Sequence, residues 1–100
     1  MSYRLYLLRC ADGTLFVGCT AEQLDRCLAL HNGGVLSSYT VSRRPVSLAY
    51  SREYATAAEA LDAERRVKAW RREKKEGLVA GRFTLDGRAR DRRAGSAPTA

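Results

Sequence analysis

The sequence predicts an α+β domain built on a small, mainly antiparallel three-stranded sheet, in the order β-β-α-β-α-α. Three observations carry that prediction. Two apolar, β-favouring runs near the N-terminus flank Ala11-Asp12-Gly13, which reads as a hairpin. Two Thr-x-x-Gln/Glu segments, the capping-box pattern, stand at the head of helical stretches. Between those helices, Val46-Ser47-Leu48-Ala49-Tyr50 alternates in the manner of a strand.

The hairpin joins Tyr3-Arg4-Leu5-Tyr6-Leu7-Leu8-Arg9-Cys10 to Thr14-Leu15-Phe16-Val17-Gly18-Cys19. A three-residue loop with Gly13 in the left-handed region would pair Tyr6 with Gly18 and set Tyr6 and Phe16 on one face. A two-residue Asp-Gly turn would put them on opposite faces, and the sequence leaves both open. Thr20-Ala21-Glu22-Gln23 is expected to cap a helix running to about Asn32, stopped by Gly33-Gly34. Leu24, Leu28 and His31 share a face of that helix, and Cys27 joins them. A loop containing Ser37-Ser38-Tyr39-Thr40 and Arg43-Arg44-Pro45 leads to the third strand. Thr56-Ala57-Ala58-Glu59 opens a long helix to about Arg72, with Ala60, Ala63, Val67 and Trp70 as its apolar stripe and Leu61 beside it. Glu64 falls next to that stripe. A short helix over 73–80 ends the domain, placed at residues 1–81, and 82–100 is expected to be a basic, flexible tail.

One hundred residues make room for one such domain. Eighteen basic residues, fifteen of them Arg, against eleven acidic ones give a net charge of +7. Arginine suits bidentate phosphate contacts, and a basic domain of this kind commonly meets nucleic acid. No zinc-finger or aromatic-glycine RNA-binding signature is present, so phosphate contact rather than base readout is indicated. No window approaches the ~20 apolar residues that cross a bilayer, which sets a membrane partner aside. Three scattered cysteines, Cys10, Cys19 and Cys27, argue against a disulfide framework and point to a reducing, cytoplasmic setting. With His31 they lack the close Cys pair of a zinc site.

Five ordered segments resemble the GIY-YIG nuclease superfamily, in particular its small stand-alone bacterial members. Tyr6 stands at the tyrosine of the first motif, and Phe16-Val17-Gly18 stands where the second has Tyr-Ile-Gly. His31-Asn32-Gly33-Gly34 is similar to the helix-end segment, and Tyr39-Thr40 with Arg43-Arg44-Pro45-Val46-Ser47-Leu48 to the next. Glu59-Ala60-Leu61, Glu64, Val67-Lys68-Ala69-Trp70 and Lys75 follow the spacing of the last. The resemblance spans Ser2 to Val79. It implies phosphodiester hydrolysis on one divalent ion, Mg²⁺ or Mn²⁺, with DNA as the substrate class. By the same resemblance Glu64 is the metal ligand and the catalytic candidates are Tyr6, His31, Glu64 and Arg26.

Two motif positions depart from the family. The second-motif tyrosine is Phe16, and the helix arginine falls on Cys27 when counted back from His31. Counting forward from Phe16 reaches Arg26 instead, so one residue is inserted, more cheaply in the 20–23 loop than inside the helix. Arg26 is the candidate replacement. Losing a base costs ~10²–10⁴ in rate and losing a charge-stabilising donor ~10²–10³, so activity is expected to be weak or lost. Substrate contacts are expected from Gly18, Tyr39, Arg43 and Arg44, and from a stripe of Arg65, Lys68 and Arg72. Glu64 also stands four residues before Lys68, the spacing of an ordinary surface ion pair. The competing reading is a non-catalytic DNA-binding or adaptor module on the same fold.

Overall fold

A computed structural model describes residues 2–85. Strands β1 (Tyr3–Arg9), β2 (Leu15–Thr20) and β3 (Ser47–Tyr54) form one sheet in the order β2-β1-β3, with both pairings antiparallel. Helices α1 (Leu24–Asn32), α2 (Ser38–Val41), α3 (Ala57–Lys68) and α4 (Arg72–Val79) complete the chain order β-β-α-α-β-α-α.

The central strand β1 is buried on both faces, because Leu5, Leu7 and Leu8 are almost wholly enclosed. Alternation splits its side chains into two cores. Leu5 and Leu7 join Val17, Ala63, Val67, Leu78 and Leu85 under α3 and α4. Tyr6, Leu8 and Cys10 join Cys27 and Val46 on the α1 side. Gly13 takes the left-handed position of the hairpin turn. Its φ of +88° closes a three-residue loop in which the Cys10 amide donates to the Thr14 carbonyl at 2.9 Å. Tyr6 consequently pairs with Gly18 and Leu8 with Phe16.

Four expectations change in the structure. Thr20 does not cap α1, because β2 claims it: it pairs with Arg4, and its hydroxyl accepts only from the Glu22 amide. Helix α1 starts four residues later, at Leu24. The segment after α1 is not all loop; Ser37 accepts from the Tyr39 amide and caps the short α2. Strand β3 starts at Ser47 and runs on to Tyr54, with Ala49 as an extra residue between the partners of Leu7 and Leu8. Helix α3, which Thr56 does cap through the Glu59 amide, stops at Lys68, leaving Trp70 beyond it.

Past residue 81 the chain still packs. Phe83 lies over Gly77, where a Cβ would come within 2.4 Å of its ring, and Leu85 is 5% exposed in the core. Residues 86–100 of the expected tail lie outside the described residues. Among the described residues no helix is long and apolar enough to cross a membrane.

The hairpin is tied to α4 by charge. Arg9 donates from both Nη atoms to Glu76, at 2.5 and 2.7 Å, and from Nη1 to the Gly13 carbonyl. The Arg9 guanidinium holds the Glu76 carboxyl below its ordinary range. That stability is complete above the unfolded-state value, and it is lost as pH falls through the lowered folded one. Glu76→Gln should therefore cost about 1 kcal/mol at pH 7. The difference from wild type should narrow toward pH 3 in denaturant titrations.

Candidate active site

A concavity of about 290 Å³ opens at the β2 edge, and Tyr6, Phe16, Gly18, Cys19, Cys27, His31, Leu36 and Glu64 line it. Three elements on two sides of the sheet deliver the chemistry: Tyr6 from β1, His31 from α1 and Glu64 from α3. Gly18 makes the room. A Cβ there would sit 2.7 Å from the Tyr6 hydroxyl and 3.2 Å from the Phe16 ring.

A buried hydrogen-bond chain fixes the imidazole. The Thr40 hydroxyl donates to the Ser37 carbonyl at 3.3 Å, which leaves it to accept from His31 Nδ1 at 2.9 Å. Nε2 is then the lone-pair nitrogen, and it accepts the Tyr6 hydroxyl at 2.9 Å. Burial pulls the His31 pKa down, in keeping with a neutral ring, and burial first, the Cys27 thiol second, pushes the Tyr6 phenol up. The phenol therefore points its proton at the imidazole.

Glu64 is held from two directions. Cys19 Sγ donates to its Oε1 at 3.1 Å, and Lys68 Nζ lies 2.9 Å from its Oε2. Burial and that carboxylate push the Cys19 thiol up to about 12, so it remains a protonated donor. Mg²⁺ keeps several waters and asks for one or two protein oxygens, so a single carboxylate on the wall suits it. Among the described residues no group of three His, Cys, Asp or Glu side chains could encage a metal ion. The donor type fits a hydrated divalent ion, and Lys68, about half exposed, is the cation such an ion would displace.

The remaining predicted contacts are elsewhere. Arg26 is not at the concavity: it is exposed on α1 and paired with Glu22 at 3.3 Å, whereas Cys27 and His31, one turn apart, both line the wall. Tyr39 stacks on Phe16, with ring centroids 5.8 Å apart, and carries Arg43 on its face at 3.9 Å. Arg43 also binds Asp12 and the Tyr39 carbonyl, and Arg44 binds the Val41 and Asn32 carbonyls. The stripe of Arg65, Lys68 and Arg72 does not form. Arg65 pairs with Asp62, and Arg72, in the next helix, reaches the Gly13 carbonyl and Glu76. Sequence reasoning missed Cys19 as a partner of Glu64; the pairing depends on where α3 crosses β2.

Fold and concavity together define the class. The profile of the GIY-YIG catalytic domain, a nuclease-type domain whose family generally uses a divalent metal, matches residues 2–77. The chain belongs to the GIY-YIG family, alongside small bacterial proteins of the UPF0213 group. A UPF0213 protein of Bacillus pumilus is 44% identical over 75 residues, covering 75% of this chain and 76% of that one. One from Staphylococcus aureus is 38% identical over 81 residues, covering 81% and 98%. The solution NMR structure of the UPF0213 protein from Bacillus halodurans superposes with a TM-score of 0.53 at 35% identity, covering 80% of this chain and 84% of that one. An NMR structure of a protein from E. faecalis gives 0.56 at 34%, covering 81% and 85%.

The neutral imidazole has a measurable cost. The unfolded chain takes up a proton below the ordinary histidine value of 6.5, and the buried ring resists it. Stability should fall as pH drops from 7 toward 5, and His31→Gln should flatten that limb while lowering stability at pH 7 by about 1–3 kcal/mol. Chemical denaturation across that range reads both.

Proposed function

We propose that this chain is a nucleic-acid-binding GIY-YIG domain that hydrolyses DNA phosphodiesters slowly, with Mg²⁺ or Mn²⁺ held at Glu64. The observation that carries the reading is the meeting of Tyr6, His31 and Glu64 at one concavity. A divalent ion at Glu64 would supply Lewis-acid polarisation of a phosphoryl oxygen. The chain's own part is proton handling: the Tyr6 oxygen takes a proton from the attacking water while its own passes to His31 Nε2. Thr40 holds the ring for that transfer through Nδ1. Phe16 has no hydroxyl to share this work, and among the described residues no arginine lines the concavity to meet the developing phosphate charge. Those two losses are the reason for a slow rate.

The same two residues favour a second reading, a DNA-binding or adaptor module without hydrolysis. Incubation with branched and single-stranded DNA in Mg²⁺ or Mn²⁺ separates the two. Slow cleavage that Glu64→Ala abolishes supports the enzyme; cleavage that survives Glu64→Ala overturns it. Chelator-insensitive binding with no cleavage in any metal supports the module. Phe16→Tyr with Cys27→Arg should raise the rate by about 10²-fold or more. Lys68→Met should tighten Mn²⁺ binding by about fivefold, read by calorimetry without DNA, because it removes the cation on Oε2.

A further inference from the structure

Positive charge on this surface is unevenly neutralised. Arg4, Arg9, Arg26, Arg43, Arg65, Lys68 and Arg72 each have a carboxylate within 4.0 Å. Arg44 and Arg66 are spent on backbone carbonyls. Arg71, Lys74 and Arg82, like Arg52 and Lys75, have no carboxylate within 4.0 Å among the described residues, and the first three line one open concavity of about 560 Å³ with Glu73 and Phe83. Lys74 Nζ stands 4.7 Å from the centre of the Trp70 ring and 5.8 Å from that of Phe83. Three cations, none within 4.0 Å of a carboxylate, therefore share the concavity with one acid, Glu73, and the Phe83 ring. Phe83 is braced from behind by Gly77.

We propose that this concavity is a second nucleic-acid contact, one that takes a single-stranded segment. Arg71 and Arg82 bind consecutive phosphates, and an unpaired base lies against Phe83 beside Lys74. The pairing of a π surface with uncompensated cations selects this ligand. A duplex offers phosphates but keeps its bases stacked inside, and an anionic membrane surface offers no ring to stack. The site rests on the nucleic-acid reading above and extends it to a location that Glu64 and Tyr6 do not share. It needs no divalent ion.

Trp70 is the chain's single tryptophan, and Lys74 of the concavity stands over its ring, so its emission reports on the site through Lys74. The test titrates the full chain with an oligothymidylate of about ten nucleotides in chelator, within the span one such surface covers. The expected result is quenching of Trp70 with an affinity that falls with salt. Arg71→Ala with Arg82→Ala should lower the affinity at least tenfold and reduce the slope of log K against log salt by about 1.4, two single-strand contacts. Phe83→Leu, which keeps an apolar cover on Gly77, should cost about tenfold while leaving that slope unchanged. An unchanged affinity in the double arginine variant overturns the site. So does quenching by anionic vesicles or a base-free polyphosphate equal to that by the oligonucleotide. Cleavage or duplex binding that persists in that variant leaves the Glu64 reading standing; wild-type protein with no affinity for any nucleic acid removes both.

Discussion

The imidazole of His31 is the joint on which the site depends. It is 1% exposed, and both its nitrogens are bonded, one to the central strand through Tyr6 and one to α2 through Thr40. A buried polar group of this kind costs free energy unless every partner is present, so three elements are obliged to agree in position. Phe16 then packs edge-on to the imidazole at 5.2 Å, and Tyr39 stacks on Phe16. Asn32, the next residue, clamps the following loop by accepting from the Val46 amide and donating to its carbonyl. Two adjacent side chains at the end of α1 thereby place both the chemistry and the entry to β3.

Much of this was legible in the chain, and the exceptions share a cause. Local chemistry wrote the hairpin, the Gly33 stop of α1, the Thr56 cap and the stripe of Ala60, Ala63 and Val67. Gly13 carried the information that selects the three-residue loop, but an Asp-Gly pair is compatible with two turn geometries, and only pairing with the rest of β2 chooses. Thr20 shows the opposite failure. Its hydroxyl and the glutamine three residues on satisfy the pattern of a helix start, yet the ladder with Arg4 is worth more, and the strand takes the residue. The convergence of Tyr6, His31 and Glu64 could be named only through the family resemblance, since no periodicity relates residues on three different elements.

Charge was the least legible property. The count of basic residues is fixed by composition, but the number free to meet a phosphate is decided by tertiary pairing. Arg43 looks available in the sequence and is spent on Asp12, on a carbonyl and on the Tyr39 face. Arg72 is spent on the hairpin turn. A helix stripe from Arg65 to Arg72 presumes one unbroken helix, and the break at Ala69 removes the presumption. The consequence is a surface with fewer unpaired cations among the described residues than composition suggests, three of them gathered at one concavity.

The two substituted positions are explained by what now fills them. Phe16 lines the concavity and contacts the rings of Tyr6, His31 and Tyr39. Phenylalanine keeps that packing and asks for no hydrogen-bond partner. Cys27, at 2% exposure, is likewise a small apolar wall where a guanidinium would need a counter-charge or an anion. Glu64 pairs with Lys68 and accepts from the Cys19 thiol. Apolar side chains at Phe16 and Cys27 and an internal partner for Glu64 together lower the cost of folding this concavity.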